Sequence, residues 1–71
     1  MLMQVLVFKT NLTQPRDVRK VQPYLQVHPH IQRWNVDLKD CDNILRIETE
    51  QLQPVEIEKI LLTAGYYCEA L

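Results

Sequence analysis

The chain has 71 residues, 46% of them hydrophobic and 24% charged, with a single glycine and a formal net charge of −1. This is the composition of one compact domain over 1–71, not of a disordered tail, and with no Lys/Arg run and no basic stripe interleaved with aromatics it argues against nucleic acid as a partner. At this length folding buries roughly 60% of the unfolded surface, so stability is marginal and a protein partner or self-association gains importance.

The first element expected is an apolar strand over residues 2 to 9. The stretch Met1-Leu2-Met3-Gln4-Val5-Leu6-Val7-Phe8 lacks a basic n-region and a small-residue cleavage site and is far too short to cross a bilayer, so the expectation is a soluble, cytoplasmic protein without membrane insertion. Two cysteines, Cys41 and Cys68, are too few for a secreted disulfide scaffold and fit a reducing compartment.

A helix is expected from Pro15. Gln14-Pro15-Arg16-Asp17-Val18-Arg19-Lys20-Val21 matches Gln53-Pro54-Val55-Glu56-Ile57-Glu58-Lys59-Ile60 in type at nearly every position, so the two halves look like variants of one unit. Each copy reads as a helix start: proline stands at the first helical position, where no N–H is needed, and an acid in the first turn satisfies free N–H groups. Val18, Val21 and Leu25 form the apolar stripe of the first helix, and Pro23 is expected to kink or shorten its last turn. Next, Trp34, Val36 and Leu38 alternate with Arg33, Asn35 and Asp37, and Leu45, Ile47 and Thr49 alternate with Arg46 and Glu48. That is the period-two pattern of two strands, joined through the turn chemistry of Lys39-Asp40-Cys41-Asp42-Asn43 into a hairpin. In the second helix Ile57, Ile60, Leu61 and Ala64 recur at helical spacing, Gly65 supplies the left-handed stop, and a short strand follows from Tyr66. The order β-α-β-β-α-β with right-handed crossovers predicts an α+β, ferredoxin-like sandwich: a four-stranded antiparallel sheet, order 4-1-3-2, with two helices on one face.

With that order and the segment Lys9-Thr10-Asn11-Leu12-Thr13-Gln14-Pro15-Arg16-Asp17-Val18, the chain resembles the heavy-metal-associated (HMA) domain of small copper chaperones and of the N-terminal modules of metal-pumping P-type ATPases, over nearly its whole length. The resemblance implies a first strand ending in Met-x-Cys-x-x-Cys, whose thiolates capture Cu(I) or another soft ion at the start of the first helix. Aligned on the helix, Lys9 stands at the methionine, Asn11 at the first cysteine and Gln14 at the second. Amides cannot become thiolates and are poor ligands for Cu(I), so the resemblance carries the fold over and not the metal chemistry. Tyr66 stands where many bacterial members carry a tyrosine beside the metal loop.

Other candidates are weaker. The topology places Cys41 at the same end as Asn11, Gln14 and Tyr66, but one soft ligand between Asp40 and Asp42 falls short of the several N/S donors of a zinc or copper site. Cys68 belongs to the opposite edge strand, too far from Cys41 for an internal disulfide, and is expected to pack. His28 and His30 lie at the far end with no third ligand and read as a solvated loop. Asp37, Asp40 and Asp42 lack the glycine and distal glutamate of a calcium loop. No phosphate loop, nucleophile–base pair or zinc motif is present, so catalysis has no candidate residues. The first strand is apolar on both faces. With Lys9 at the methionine position, Val5 and Val7 are expected inward, leaving Leu6, Phe8, Ile44 and Tyr67 as an interaction patch on the open sheet face.

These residues favour a non-enzymatic domain that works through protein contact, with a protein partner or a homodimer and no expected cofactor. The alternatives are Cu(I) or Zn(II) handling through Cys41, Cys68, His28 or His30, and, last, a small-ligand regulatory module, whose usual Gly-rich loop is missing.

Overall fold

The computed structural model describes residues 3–71. Its elements are β1 (Gln4–Thr10), α1 (Pro15–Gln26), β2 (Arg33–Asp37), β3 (Ile44–Thr49), α2 (Pro54–Thr63) and β4 (Cys68–Ala70). The strands form one antiparallel sheet in the order β2-β3-β1-β4, the ferredoxin-like arrangement expected. Leu2, where the first strand was expected to start, lies outside the described residues.

Both Gln-Pro-x-acid repeats start helices by the same chemistry. Asp17 Oδ2 accepts the backbone N–H of Gln14 at 3.1 Å, and Glu56 Oε2 accepts that of Gln53 at 2.7 Å. Each acid thus satisfies a donor the helix cannot pair internally and sets a negative charge at the positive end of the dipole. Pro23 does not end α1, which continues to Gln26; it forfeits only the bond its own N–H would have made to the preceding turn. α2 closes on Gly65, at φ 95°, with Gly65 N–H donating to the Leu62 carbonyl at 3.0 Å and Tyr66 N–H to the Leu61 carbonyl at 2.9 Å. This paired C-terminal lock needs the left-handed backbone that glycine adopts without strain. β2 ends at Asp37, which leaves Leu38 in the turn, and β4 starts two residues later than expected, at Cys68.

The core lies between the sheet and the helix pair. Phe8, Leu45 and Ile47 meet Val21, Leu25, Ile57 and Leu61, with Leu12 and Leu52 sealing the ends. This overturns the expected parity of β1. Phe8 pairs with Leu45 and Leu6 with Ile47, so Leu6 and Phe8 share the core face; Phe8 is fully buried and Leu6 packs against the core. Val5 points the other way and is 53% exposed. In a strand apolar on both faces, alternation does not say which face goes in. Burying Leu and Phe removes more apolar area from water than burying two valines, and that difference decides the orientation. Of the expected patch, Ile44 is buried at 5% exposure and Tyr67 alone is open, at 54%.

Candidate functional site

Asn11, Gln14 and Tyr66 lie where three connections meet: β1 to α1, β2 to β3, and α2 to β4. Thr10 ties the first to the second: its N–H donates to the Asp42 carbonyl at 3.1 Å and its hydroxyl to the Asn43 carbonyl at 2.6 Å. The same hydroxyl accepts the Leu12 N–H at 3.1 Å, turning the chain so that Leu12 plugs the end of the core. Asn43 takes φ 49°, the left-handed conformation that asparagine tolerates better than most residues.

Asn11 ties the first connection to the third. Its side-chain Oδ1 accepts the Tyr67 N–H at 2.9 Å, while its own N–H donates to the Tyr67 carbonyl at 3.3 Å. An amide side chain can both accept and donate, and here its oxygen extends the β1–β4 ladder beyond the last strand pair. Gln14 contributes through its backbone at the helix cap, and its side chain is exposed.

Asp17 joins the helix cap to the α2–β4 connection. Beyond Gln14, its Oδ2 accepts the Thr13 N–H at 3.1 Å and the Thr13 hydroxyl at 3.3 Å, while Oδ1 accepts the Tyr66 hydroxyl at 2.7 Å. The Tyr66 hydroxyl first and the Thr13 N–H next, helped by the Gln14 N–H and the Thr13 hydroxyl, hold the carboxyl below its ordinary range against the opposing effect of desolvation. The same bond, with lesser help from desolvation, pushes the Tyr66 phenol upward. Tyr66 therefore lies against the start of α1, with its hydroxyl committed to Asp17.

The remaining candidates separate. Cys41 is exposed in the turn, and one ligand atom each from Asp40, Cys41 and Asp42 lies within 4.8 Å of the others. Asp40 Oδ1 already accepts the Asp42 N–H at 2.9 Å, an ordinary turn bond. Cys68 is buried and free, and desolvation, assisted by Glu58, pushes its thiol up to about 12, so it is a packing residue protonated at neutral pH. His28 and His30 sit at the opposite end with ring centroids 5.9 Å apart, and His28 Nδ1 accepts the His30 N–H at 3.2 Å. Among the described residues they share no cluster with a third ligand. Thr10, which ties two of the connections together, carries no sequence signal beyond strand alternation, whereas Asp17 is marked by its place in the repeat.

No protein-family model and no curated protein matches the chain. Solved structures do. The copper(I)-loaded first domain of the human copper chaperone for SOD1 is 23% identical with a TM-score of 0.82, covering 99% of this chain and 94% of that one. The fold is that of an HMA domain. Oxidized MerP from Ralstonia metallidurans superposes at a TM-score of 0.80 and 11% identity, covering 97% of each chain. A chain of the Atx1–Cu(I)–Ccc2a complex does so at 0.78 and 14%, covering 94% of this chain and 93% of that one. At such identities the likeness is one of backbone. No helix among the described residues is long and apolar enough to cross a membrane.

Proposed function

We propose that this HMA-like domain is a non-enzymatic, cytoplasmic interaction module that does not capture a soft metal at the loop its fold would use for one. The observation that carries the reading is the Asn11–Tyr67 clasp. The residue aligned with the first cysteine accepts a backbone N–H at 2.9 Å and so spends its oxygen on joining two connections within the chain. A thiolate pair holding an ion is favoured by soft ligands and a helix N-terminus; two neutral amides offer neither charge nor softness. Protein contact is the function left to such a scaffold, and one of the structures it matches is itself a complex of Atx1, Cu(I) and Ccc2a.

Metal handling through other ligands is the second reading, favoured by the proximity of Asp40, Cys41 and Asp42 within 4.8 Å. All three are exposed and only one is soft, which suits neither Cu(I) nor a closed zinc site. Native mass spectrometry of the reduced protein with stoichiometric Cu(I) or Zn(II) separates the two. The interaction reading expects no retained ion. An ion held tightly by the wild type and lost in Cys41→Ser would overturn it in favour of metal handling.

A further inference from the structure

The sheet has two edges, and their sequences differ in what they would do against a copy of themselves. β2 is one edge, and among the described residues no strand lies beyond it. Which of its backbone groups are open follows from the ladder. The Leu71 N–H donates to the Val7 carbonyl at 3.0 Å, so Val7 turns its backbone groups toward β4 and its neighbours Leu6 and Phe8 turn theirs toward β3. Leu6 and Phe8 meet Ile47 and Leu45, which leaves Arg46 and Glu48 facing β2, where they meet Asn35 and Arg33. By the alternation of an antiparallel ladder, the N–H and C=O groups of Trp34 and Val36 therefore face outward.

We infer that two copies of this chain associate through β2, antiparallel about a two-fold axis at Asn35. Centred there, Trp34 stands opposite Val36 of the partner subunit, and each such pair exchanges both of its backbone hydrogen bonds. Arg33 then stands opposite Asp37 of the partner subunit, and Asp37 opposite the partner's Arg33, in the closely spaced non-hydrogen-bonded positions of the open sheet face. On the helix face, the half-buried Trp34 and Val36, both packed against the core, pair as an aromatic with a β-branched residue. The segment Arg33-Trp34-Asn35-Val36-Asp37 is thus complementary to itself in charge, shape and hydrogen bonding, as a two-fold interface requires. A shift of two residues either way separates the Arg–Asp pairs, so charge sets the register. The same operation at the other edge, Cys68-Glu69-Ala70, sets Glu69 against Glu69 of the partner subunit and is self-repelling. β2 also carries no proline and no lysine, and its two charges, Arg33 and Asp37, are the ones the pairing itself matches.

A second copy as partner deepens the interaction reading above and rests on it. Metal uptake would sink that reading without bearing on β2, and a monomer would sink the β2 pairing without bearing on metal. The test is sedimentation velocity on the reduced full chain over a concentration series, with reductant present so that Cys41 cannot crosslink copies. A concentration-dependent dimer is expected. Arg33→Asp and Asp37→Arg should each weaken it about tenfold by setting like charges opposite one another twice. The double swap restores opposite charges and should return it to near the wild-type constant, a rescue that loss of fold could not produce. Because Arg33 also faces Glu48 within its own sheet, thermal unfolding of each variant is followed in parallel. Val36→Pro removes an outward N–H without touching the β3 ladder and should leave a folded monomer. A monomer at every concentration, a double swap as weak as the single changes, or a Val36→Pro dimer of unchanged strength would each overturn the proposal.

Discussion

The two ends of this domain are both closed by side chains that bond to backbone, but with different chemistry. At the far end Thr49, fully buried, donates its hydroxyl to the His30 carbonyl at 2.6 Å and accepts the Gln51 and Leu52 N–H groups, each at 3.3 Å. At the loop end the cross-links run through half-buried or exposed groups, Thr10, Asn11 and the ionised Asp17, each within reach of water. The far end is a neutral knot centred on a fully buried hydroxyl, and it serves stability. The loop end is a set of polar ties that join three connections of the chain.

The largest difference should appear on removing the knot. Thr49→Val keeps the shape, strands two N–H groups and one carbonyl, and is expected to cost about 2–3 kcal/mol in chemical denaturation. A loss below about 1 kcal/mol would mean the two ends are equivalent. Asn11→Ala, which opens the clasp at an exposed site, should cost about 1 kcal/mol and leave the midpoint far less changed than Thr49→Val does. Tyr66→Phe should act less on stability at neutral pH than on its acid limb. Because the native carboxyl of Asp17 is held below its ordinary value of 3.8, its contribution is complete above that value and is lost as pH falls through the lower native one. Removing the Tyr66 hydroxyl, the largest cause of that shift, should flatten stability against pH in this window; an unchanged acid limb would contradict the assigned bond. Smallest of all, His28→Ala, at the far end but outside the knot, should change stability by no more than about 0.5 kcal/mol and leave metal uptake unaltered.

Much of the fold is legible in the residues themselves. The Gln-Pro-x-acid repeat marks both helix starts because the acid at the third helical position has one local N–H to satisfy, and Asp17 and Glu56 do so. Gly65 marks a helix end for an equally local reason. What is not legible is decided at long range. β1 is apolar on both faces, so only packing against Leu45 and Ile47 reveals that Phe8 goes in and Val5 stays out. The placement of Asn11, Gln14 and Tyr66 at one end follows from topology, but the bond from Tyr66 to Asp17 spans 49 residues and the clasp from Asn11 to Tyr67 spans 56, and no local pattern encodes either. Cys68 packs as its place on an edge strand suggests, whereas Thr10 and Thr49 look like ordinary strand residues until the neighbouring connections are in place.

If the loop end is closed by the chain's own hydrogen bonds, it needs no ion to order it. Amide hydrogen exchange at Tyr67 and Leu12 tests it most directly, since one N–H is held by Asn11 and the other by Thr10. The account predicts that in metal-free, reduced protein both amides exchange more slowly than in an unfolded chain, that adding Cu(I) changes neither, and that Asn11→Ala releases Tyr67 alone. Fast exchange at both positions in the metal-free protein, with protection gained only on adding Cu(I), would contradict it.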